Sequence, residues 1–210
     1  NEIPCTYIAD GHHRAASAAK VRAALGANAT KNADYFLTTL FPSNQLYIMD
    51  YNRVVKDLNG LTAEAFIEAV STKFDIEQLA KEPFSPSVLH EFGMYINGCW
   101  YQLTAKAGSF TEDPIGILDV TILQNNILDA ILGISDPRTD VRVDFVGGIR
   151  GLQVLADRVD SGQFAAAFSL YAVTIDQLFA IADSGNVMPP KSTWFEPKLR
   201  DGLLTHLIYE

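Results

Sequence analysis

Apolar and polar positions alternate along this chain in short blocks punctuated by Gly, Pro and Asn. Thr6-Tyr7-Ile8-Ala9 reads as a short buried strand, followed by a turn at Asp10-Gly11. The next fourteen residues, His12 to Leu25, are alanine-rich and free of Gly and Pro, which predicts a helix. Gly26 stops it, as a residue that tolerates positive φ past a helix end. Ala15, Ala18, Ala19 and Val21 are small enough for that helix to pack closely on a sheet. Tyr35 to Phe41 and Leu46 to Val55 are rich in β-branched and aromatic residues and predict strands, separated by the turn Pro42-Ser43-Asn44. Thr62, with Glu64 nearby, opens an amphipathic helix whose Ala65, Phe66 and Val70 share a face. Phe92 to Leu103 predicts a hairpin, because Asn97-Gly98 supplies the two positive φ angles of a type I′ turn.

Beyond Glu112-Asp113-Pro114 the pattern becomes a regular alternation. Helices are predicted over Leu118–Leu132, Ile149–Val159 and Thr174–Ala182, and strands over Val141–Val146 and Phe164–Ala172. Such alternation favours helices laid against a sheet. The expected fold is therefore mixed α/β, with antiparallel hairpins followed by an alternating helix–strand C-terminal lobe. Residues 1–114 and 115–210 form its two parts, packed as one compact unit. The tail from Met188 is too apolar for disorder and reads as a strap that buries Trp194 and Phe195.

Composition narrows the function classes. With 210 residues, 48% hydrophobic, the chain can bury a core without metals or disulfides. Acidic residues outnumber basic ones 25 to 16, for a net charge of −9, so the surface as a whole repels nucleic acid. Any anion site must be a local cationic pocket. Cys5 and Cys99 cannot build a disulfide framework, which points to a reducing, cytoplasmic setting. The longest apolar stretch, near Phe164 to Val173, is about half the ~20 residues a membrane-spanning helix needs. Asn1-Glu2-Ile3-Pro4 has no initiator Met and no signal-like pattern, as if the chain had been cut from a longer one.

Asp10-Gly11-His12-His13-Arg14 is the sharpest local feature. The first N–H groups of a helix lack internal partners and sit in positive potential. Gly11 lets a ligand approach the backbone, Arg14 adds a fork-shaped cation suited to phosphate, and His12 and His13 add donors or a group titrating near neutrality. The plainer reading makes Asp10 an N-cap and the histidines solvated. Asp10 coexists with a bound phosphate only if Mg²⁺ bridges them, or if it faces a substrate hydroxyl instead. A second candidate is Arg142 together with Gly147-Gly148 and Arg150, against the alternative of an edge-strand ion pair and a tight turn. Lys191 in the tail and the polar run Asp50-Tyr51-Asn52-Arg53 complete the set. Neighbouring His12 and His13 diverge on a helix, and His90-Glu91 lacks a second His at the spacing zinc needs, so a zinc site fits poorly. The P-loop, dinucleotide-fold and serine-hydrolase signatures are missing.

Tyr7–Arg14, Asp50–Arg53, Asp144–Gly151 and Met188–Phe195 together resemble the DUF1015 family, nearly end to end and in the expected order. Its members are usually about twice this length, so the chain resembles their C-terminal half. The Asp10–Arg14 string in turn is similar to the nucleotide-contacting turn of the ParB/sulfiredoxin superfamily, which includes free-serine kinases. Sulfiredoxin's Gly-Gly-Cys-His-Arg falls on Asp10 to Arg14 with His12 at the reactive cysteine, so sulfinic-acid repair is not implied. The resemblance implies a ParB/sulfiredoxin-like strand–turn–helix element and a nucleotide-dependent kinase for a small hydroxyl metabolite such as free serine. ATP or ADP with Mg²⁺ would be the cofactor. In that reading Asp10, His12 and His13 stand at the transferred group, with Asp10 also toward the metal. Gly11, Arg14, Arg142, Gly147, Gly148, Arg150 and Lys191 face the nucleotide. The alternatives are a non-catalytic nucleotide-binding switch of ParB type and a structural or interaction domain. The partners implied are a nucleotide and a small substrate, with no nucleic acid and no membrane; the oligomeric state stays open.

Overall fold

In the computed structural model, which describes residues 3, 5–79, 81–200 and 202–208, the helix predicted after Asp10-Gly11 forms as α1 (His12–Leu25). Asn1, Glu2 and Pro4, on which the reading of the N-terminal sequence rested, lie outside the described residues. The elements that follow are β1 (Tyr47–Met49), β2 (Tyr51–Val55), α2 (Ala63–Ser71), β3 (Phe74–Gln78), β4 (Glu91–Ile96) and β5 (Cys99–Ala105). Then come α3 (Asp119–Leu123), which runs on into a π-helical turn at Gln124–Asp129, and β6 (Val143–Gly147). The chain ends with α4 (Gln153–Asp160), β7 (Ala166–Leu170), α5 (Ile175–Asp183) and β8 (Trp194–Glu196). The fold is mixed α/β, as the sequence implied.

Two compact units divide the chain: Asn1–Tyr47 with Phe195–Glu210, and Ile48–Trp194. In the second unit β2 to β7 form one six-stranded sheet in the order β3-β5-β4-β7-β2-β6, antiparallel throughout. The division expected at Glu112–Pro114 falls inside this unit. There Asp113 accepts the N–H groups of Ile115 (3.1 Å) and Gly116 (3.0 Å) in a tight turn. The reason is β7, which pairs with β4 on one side and β2 on the other and so joins both halves of the chain.

Period-2 alternation explains why the central strands read as unbroken apolar runs. Val55, Phe92, Met94, Ile96 and Phe168 point to one face, where α2 and α3 bring Phe66, Val70, Ile122 and Leu123. Val54, Tyr95 and Ala167 point to the other, where α4 brings Leu155 and Ala156. With both faces covered, every residue of β7 is buried. The hairpin turn has φ 49° at Asn97 and 77° at Gly98, as a type I′ turn requires. Thr62 caps α2 by accepting the Ala65 N–H at 3.2 Å.

Five expectations differ. Thr6–Ala9 and Tyr35–Phe41 are irregular, because an apolar run becomes a strand only beside a partner. The strand expected over Leu46–Val55 breaks at Asp50 into β1 and β2. The helix expected from Ile149 begins only at Gln153, since Gly151 with φ 74° turns the chain first. α1 buries none of its residues, because its alanines are spread around the helix and give no apolar stripe.

Within the first unit, Arg22 pairs with Asp34 and donates to the Gly26 carbonyl at 3.2 Å. The tail joins through the Thr30 hydroxyl, which donates to the Ile208 carbonyl at 2.8 Å, and through His206, whose Nε2 lies 2.9 Å from the Asn32 carbonyl oxygen. Among the described residues no helix is long and apolar enough to cross a membrane.

Candidate functional site

The start of α1 answers the question that Asp10 left open. Its N-cap residue is Gly11, with φ 92° in the left-handed region, and no side chain caps the helix. Asp10 does not act as the N-cap. One carboxylate oxygen accepts the Gly11 N–H at 2.8 Å, and the other lies 3.8 Å from Arg14 Nη2. The Gly11 carbonyl accepts the Ala15 N–H at 3.0 Å and so starts the helical ladder. Asp10 thus holds the N–H of the N-cap residue, while no side chain caps the N–H groups of His12 to Arg14, which stay in the positive potential of the helix start.

Arg14 folds back over this turn, so that a Cβ on Gly11 would stand 2.9 Å from its Nη2. The Asp10–Arg14 pair is more than half exposed on both sides, and such pairs contribute at most about 1 kcal/mol. The guanidinium is thus held loosely, free to exchange a weak carboxylate contact for a bidentate one to phosphate. His12 and His13 are exposed on the same turn. Among the described residues no group of three or more His, Cys, Asp or Glu is placed to hold a metal. Asp10 offers a single carboxylate here, which suits Mg²⁺ only where phosphate oxygens supply further ligands.

In the second unit, three of the motif segments meet at one end of the β2–β6 pair. The register sets Tyr51 opposite Gly147 and Arg53 opposite Phe145, and the Gly148 N–H donates to the Asp50 carbonyl at 2.9 Å. Arg53 is only 4% exposed, and burial lowers its pKa to about 10. Its guanidinium donates to the carbonyls of Tyr51 and Lys191, the latter at 2.8 Å, and lies 5.1 Å from the Phe145 ring centroid. This anchors the tail, where Lys191 has φ 56° and places its Nζ 5.9 Å from the Tyr51 ring centroid. The Tyr51 and Trp194 rings meet edge to face at 5.6 Å.

The two glycines here do not form an open cradle. A Cβ on Gly147 would stand 2.7 Å from the Trp194 ring, and one on Gly148 would stand 1.9 Å from an Asp50 carboxylate oxygen. Glycine is required because Asp50 and Trp194 fill the space, and the Asp50 charge repels phosphate there. Asp50 is itself held by Asn52 Nδ2 at 2.5 Å, while Asn52 Oδ1 accepts the Leu170 N–H at 3.0 Å. Gly148→Ala is accordingly expected to cost about 1–3 kcal/mol, read as a lower urea midpoint. An unchanged midpoint would show that Asp50 moves aside freely.

Arg142 lies at the other end of β6, away from the glycines. Its donors go to Asp140 (2.8 and 3.1 Å) and to the carbonyls of Leu132 (2.9 Å) and Gly133 (3.1 Å), with Asp57 3.7 Å away. This is a fastening between a loop and the sheet, and the strand's other charge, Asp144, pairs with Arg158 at 2.7 Å. Arg150 and Lys191 remain exposed. In the sequence Arg53 is one member of the polar run Asp50-Tyr51-Asn52-Arg53. Its signal was a cation among residues of a strand that proves buried on both faces.

Comparison with solved structures places this architecture in a known class. A free serine kinase in complex with AMP matches 92% of this chain and 70% of its own, at 14% identity and a TM-score of 0.51. A mutant free serine kinase with AMP matches 90% of this chain and 66% of its own, at 14% identity and a TM-score of 0.47. A conserved hypothetical protein from Pyrococcus furiosus matches 92% and 72%, at 16% identity and a TM-score of 0.45. The chain thus spans about two thirds of the length of these proteins and shares the fold of a kinase that has been solved with a nucleotide. By sequence it belongs to the DUF1015 family (protein of unknown function), whose model matches residues 1–121. No curated protein matches it.

Proposed function

We propose that the protein is a nucleotide-dependent phosphotransferase acting on a small hydroxyl compound, with free serine or a similar hydroxy amino acid as acceptor. The observation that carries this reading is the helix start at Gly11–Arg14, where no side chain caps the N–H groups of His12 to Arg14 and Arg14 stands loosely over the turn. The likeness of the Asp10–Arg14 string to the ParB/sulfiredoxin turn supports it. So does the shared fold with a kinase that was solved with AMP.

The phosphates of ATP or ADP lie against the backbone of Gly11 to Arg14, with the Arg14 fork on their oxygens. In the transfer, the acceptor hydroxyl oxygen bonds to the terminal phosphorus and the bond from that phosphorus to the bridging oxygen breaks. The shortened nucleotide leaves, and Asp10 orients the hydroxyl and takes its proton. His12 and His13 add donors at the transferred group. Phosphoryl transfer needs mainly positioning and charge neutralisation, which this turn supplies. Asp10 is the residue that would hold Mg²⁺, which would supply further charge neutralisation.

Incubating the protein with L-serine, ATP or ADP and Mg²⁺ is expected to yield phosphoserine. Asp10→Asn should lower turnover about a hundredfold while nucleotide binding persists, the range typical of a lost acid–base group. Nucleotide binding with no product from serine or from a pool of hydroxy metabolites would overturn the kinase reading and leave a binding switch.

A further inference from the structure

Tyr35–Phe41 has the composition of a strand and lies in the first unit without a strand beside it. From Tyr35 to Pro42 the chain makes no turn or bend, and Tyr35 is extended, with φ −116° and ψ 154°. The backbone of Phe36–Phe41 makes no hydrogen bond to another described residue. Every residue from Asp34 to Gln45 is exposed, including Tyr35 (60%), Phe36 (49%), Leu37 (48%), Leu40 (57%) and Phe41 (36%). The unit has little core to draw them in: among its described residues the buried apolar side chains are Ala33 and Phe195. The segment therefore presents unpaired backbone groups and apolar side chains together, the combination that recruits another strand.

The pattern within the segment decides which strand fits. Laid antiparallel against a second copy about Thr38, Tyr35 stands opposite Phe41, Phe36 opposite Leu40, Leu37 opposite Thr39, and Thr38 opposite itself. Rings then meet a ring or a leucine, and threonine meets threonine, which are favourable cross-strand pairs. From Tyr35 to Gln45 the sequence carries no charge, so this register opposes no like charges although each chain has a net charge of −9. The outer strand β3 has the contrary pattern. The same pairing about Ile76 would set Asp75 against Glu77, both exposed, and like charges repel there. An apolar run of this length without Gly, Pro or charge is the kind that pairs with its own copy. The five exposed side chains offer on the order of 500 Å² per chain, and the threonines and backbone bring this toward the roughly 800 Å² per partner of a stable interface. We infer that Tyr35–Phe41 is a self-association surface, at which two copies of this chain pair as antiparallel strands in a two-fold dimer.

Sedimentation velocity from about 2 to 200 µM protein, without nucleotide, covers the micromolar affinities of an interface this small. A reversible monomer–dimer equilibrium is expected. Thr38→Lys and Thr38→Glu each set like charges face to face at the two-fold axis and should weaken the dimer about tenfold or more. Residue 38 is exposed, so the urea midpoint of either variant should match that of the wild type. Mixing the Thr38→Lys and Thr38→Glu proteins should restore dimers, because opposite charges then face each other across the axis. Protein that stays monomeric throughout the range would overturn the inference and leave the segment to a strand of another polypeptide. Dimers that persist in both variants, that fail to return on mixing, or that grow into larger assemblies would overturn it as well. Because no nucleotide or turnover enters the readout, failure here is separate from failure of the phosphotransferase reading.

Discussion

Arg14→Ala is expected to weaken ATP binding by about thirtyfold or more, with the melting temperature almost unmoved. Hydrogen bonds from a guanidinium to an anion contribute roughly 1.5–3 kcal/mol, and about 2 kcal/mol corresponds to thirtyfold in affinity. The protein fold loses little, because the Arg14 side chain is 60% exposed and its contact to Asp10 spans 3.8 Å. Arg14→Lys keeps the charge but not the planar fork, and should fall between wild type and alanine. Calorimetric titration with ATP measures all three. Equal affinities across the series would remove Arg14 from the phosphate contact.

Asp119→Asn is expected to stabilise the protein at pH 8 by on the order of 3 kcal/mol, while leaving it nearly unchanged at pH 4. Asp119 opens α3 at 3% exposure, and burial raises its pKa to about 7. One oxygen accepts the His90 N–H at 2.9 Å, which opposes that rise, and the other is buried without a partner. The sign follows from proton counting. Between the unfolded pKa near 4 and the folded value near 7, the native state holds a proton that the unfolded state has lost. Stability from this group is therefore complete below about pH 4 and falls as pH rises to about 7. Asparagine keeps the acceptor for His90 and has no charge to bury. Urea unfolding of both proteins from pH 4 to 8 should show a difference that grows with pH and levels off above 7. Parallel profiles would mean that Asp119 is ionised in the folded protein at little cost.

Local chemistry made much of this fold legible in the sequence. Asn97-Gly98 admits one kind of turn, Thr62 and Thr174 are capping residues at the right places, and Gly26 ends α1 as a stop signal should. Misreadings arose where the outcome depends on distant partners. Thr6–Ala9 and Tyr35–Phe41 have strand-like composition but no strand beside them, and composition cannot show that. Likewise the pairing of β7 with strands from both halves of the chain has no local signal.

The candidate residues show the same division. Gly11 and Arg14 were readable because a helix start is a local object. For Arg142 and Gly147-Gly148, sequence showed cations and glycines but not their neighbours. Asp140, Leu132 and Gly133 occupy the first, and Trp194 and Asp50 fill the space over the others. Arg53 looked like one member of a polar run, and only the pairing of β2 with β6 and β7 reveals how deeply it is buried.

The most direct test is to follow the backbone amides of His12, His13 and Arg14 by NMR during titration with ATP and Mg²⁺. If these N–H groups hold the phosphates, their resonances will move downfield and saturate together, and they will shift far less in Arg14→Ala. Saturable nucleotide binding that leaves those three amides unmoved, or an absence of binding altogether, would contradict the account.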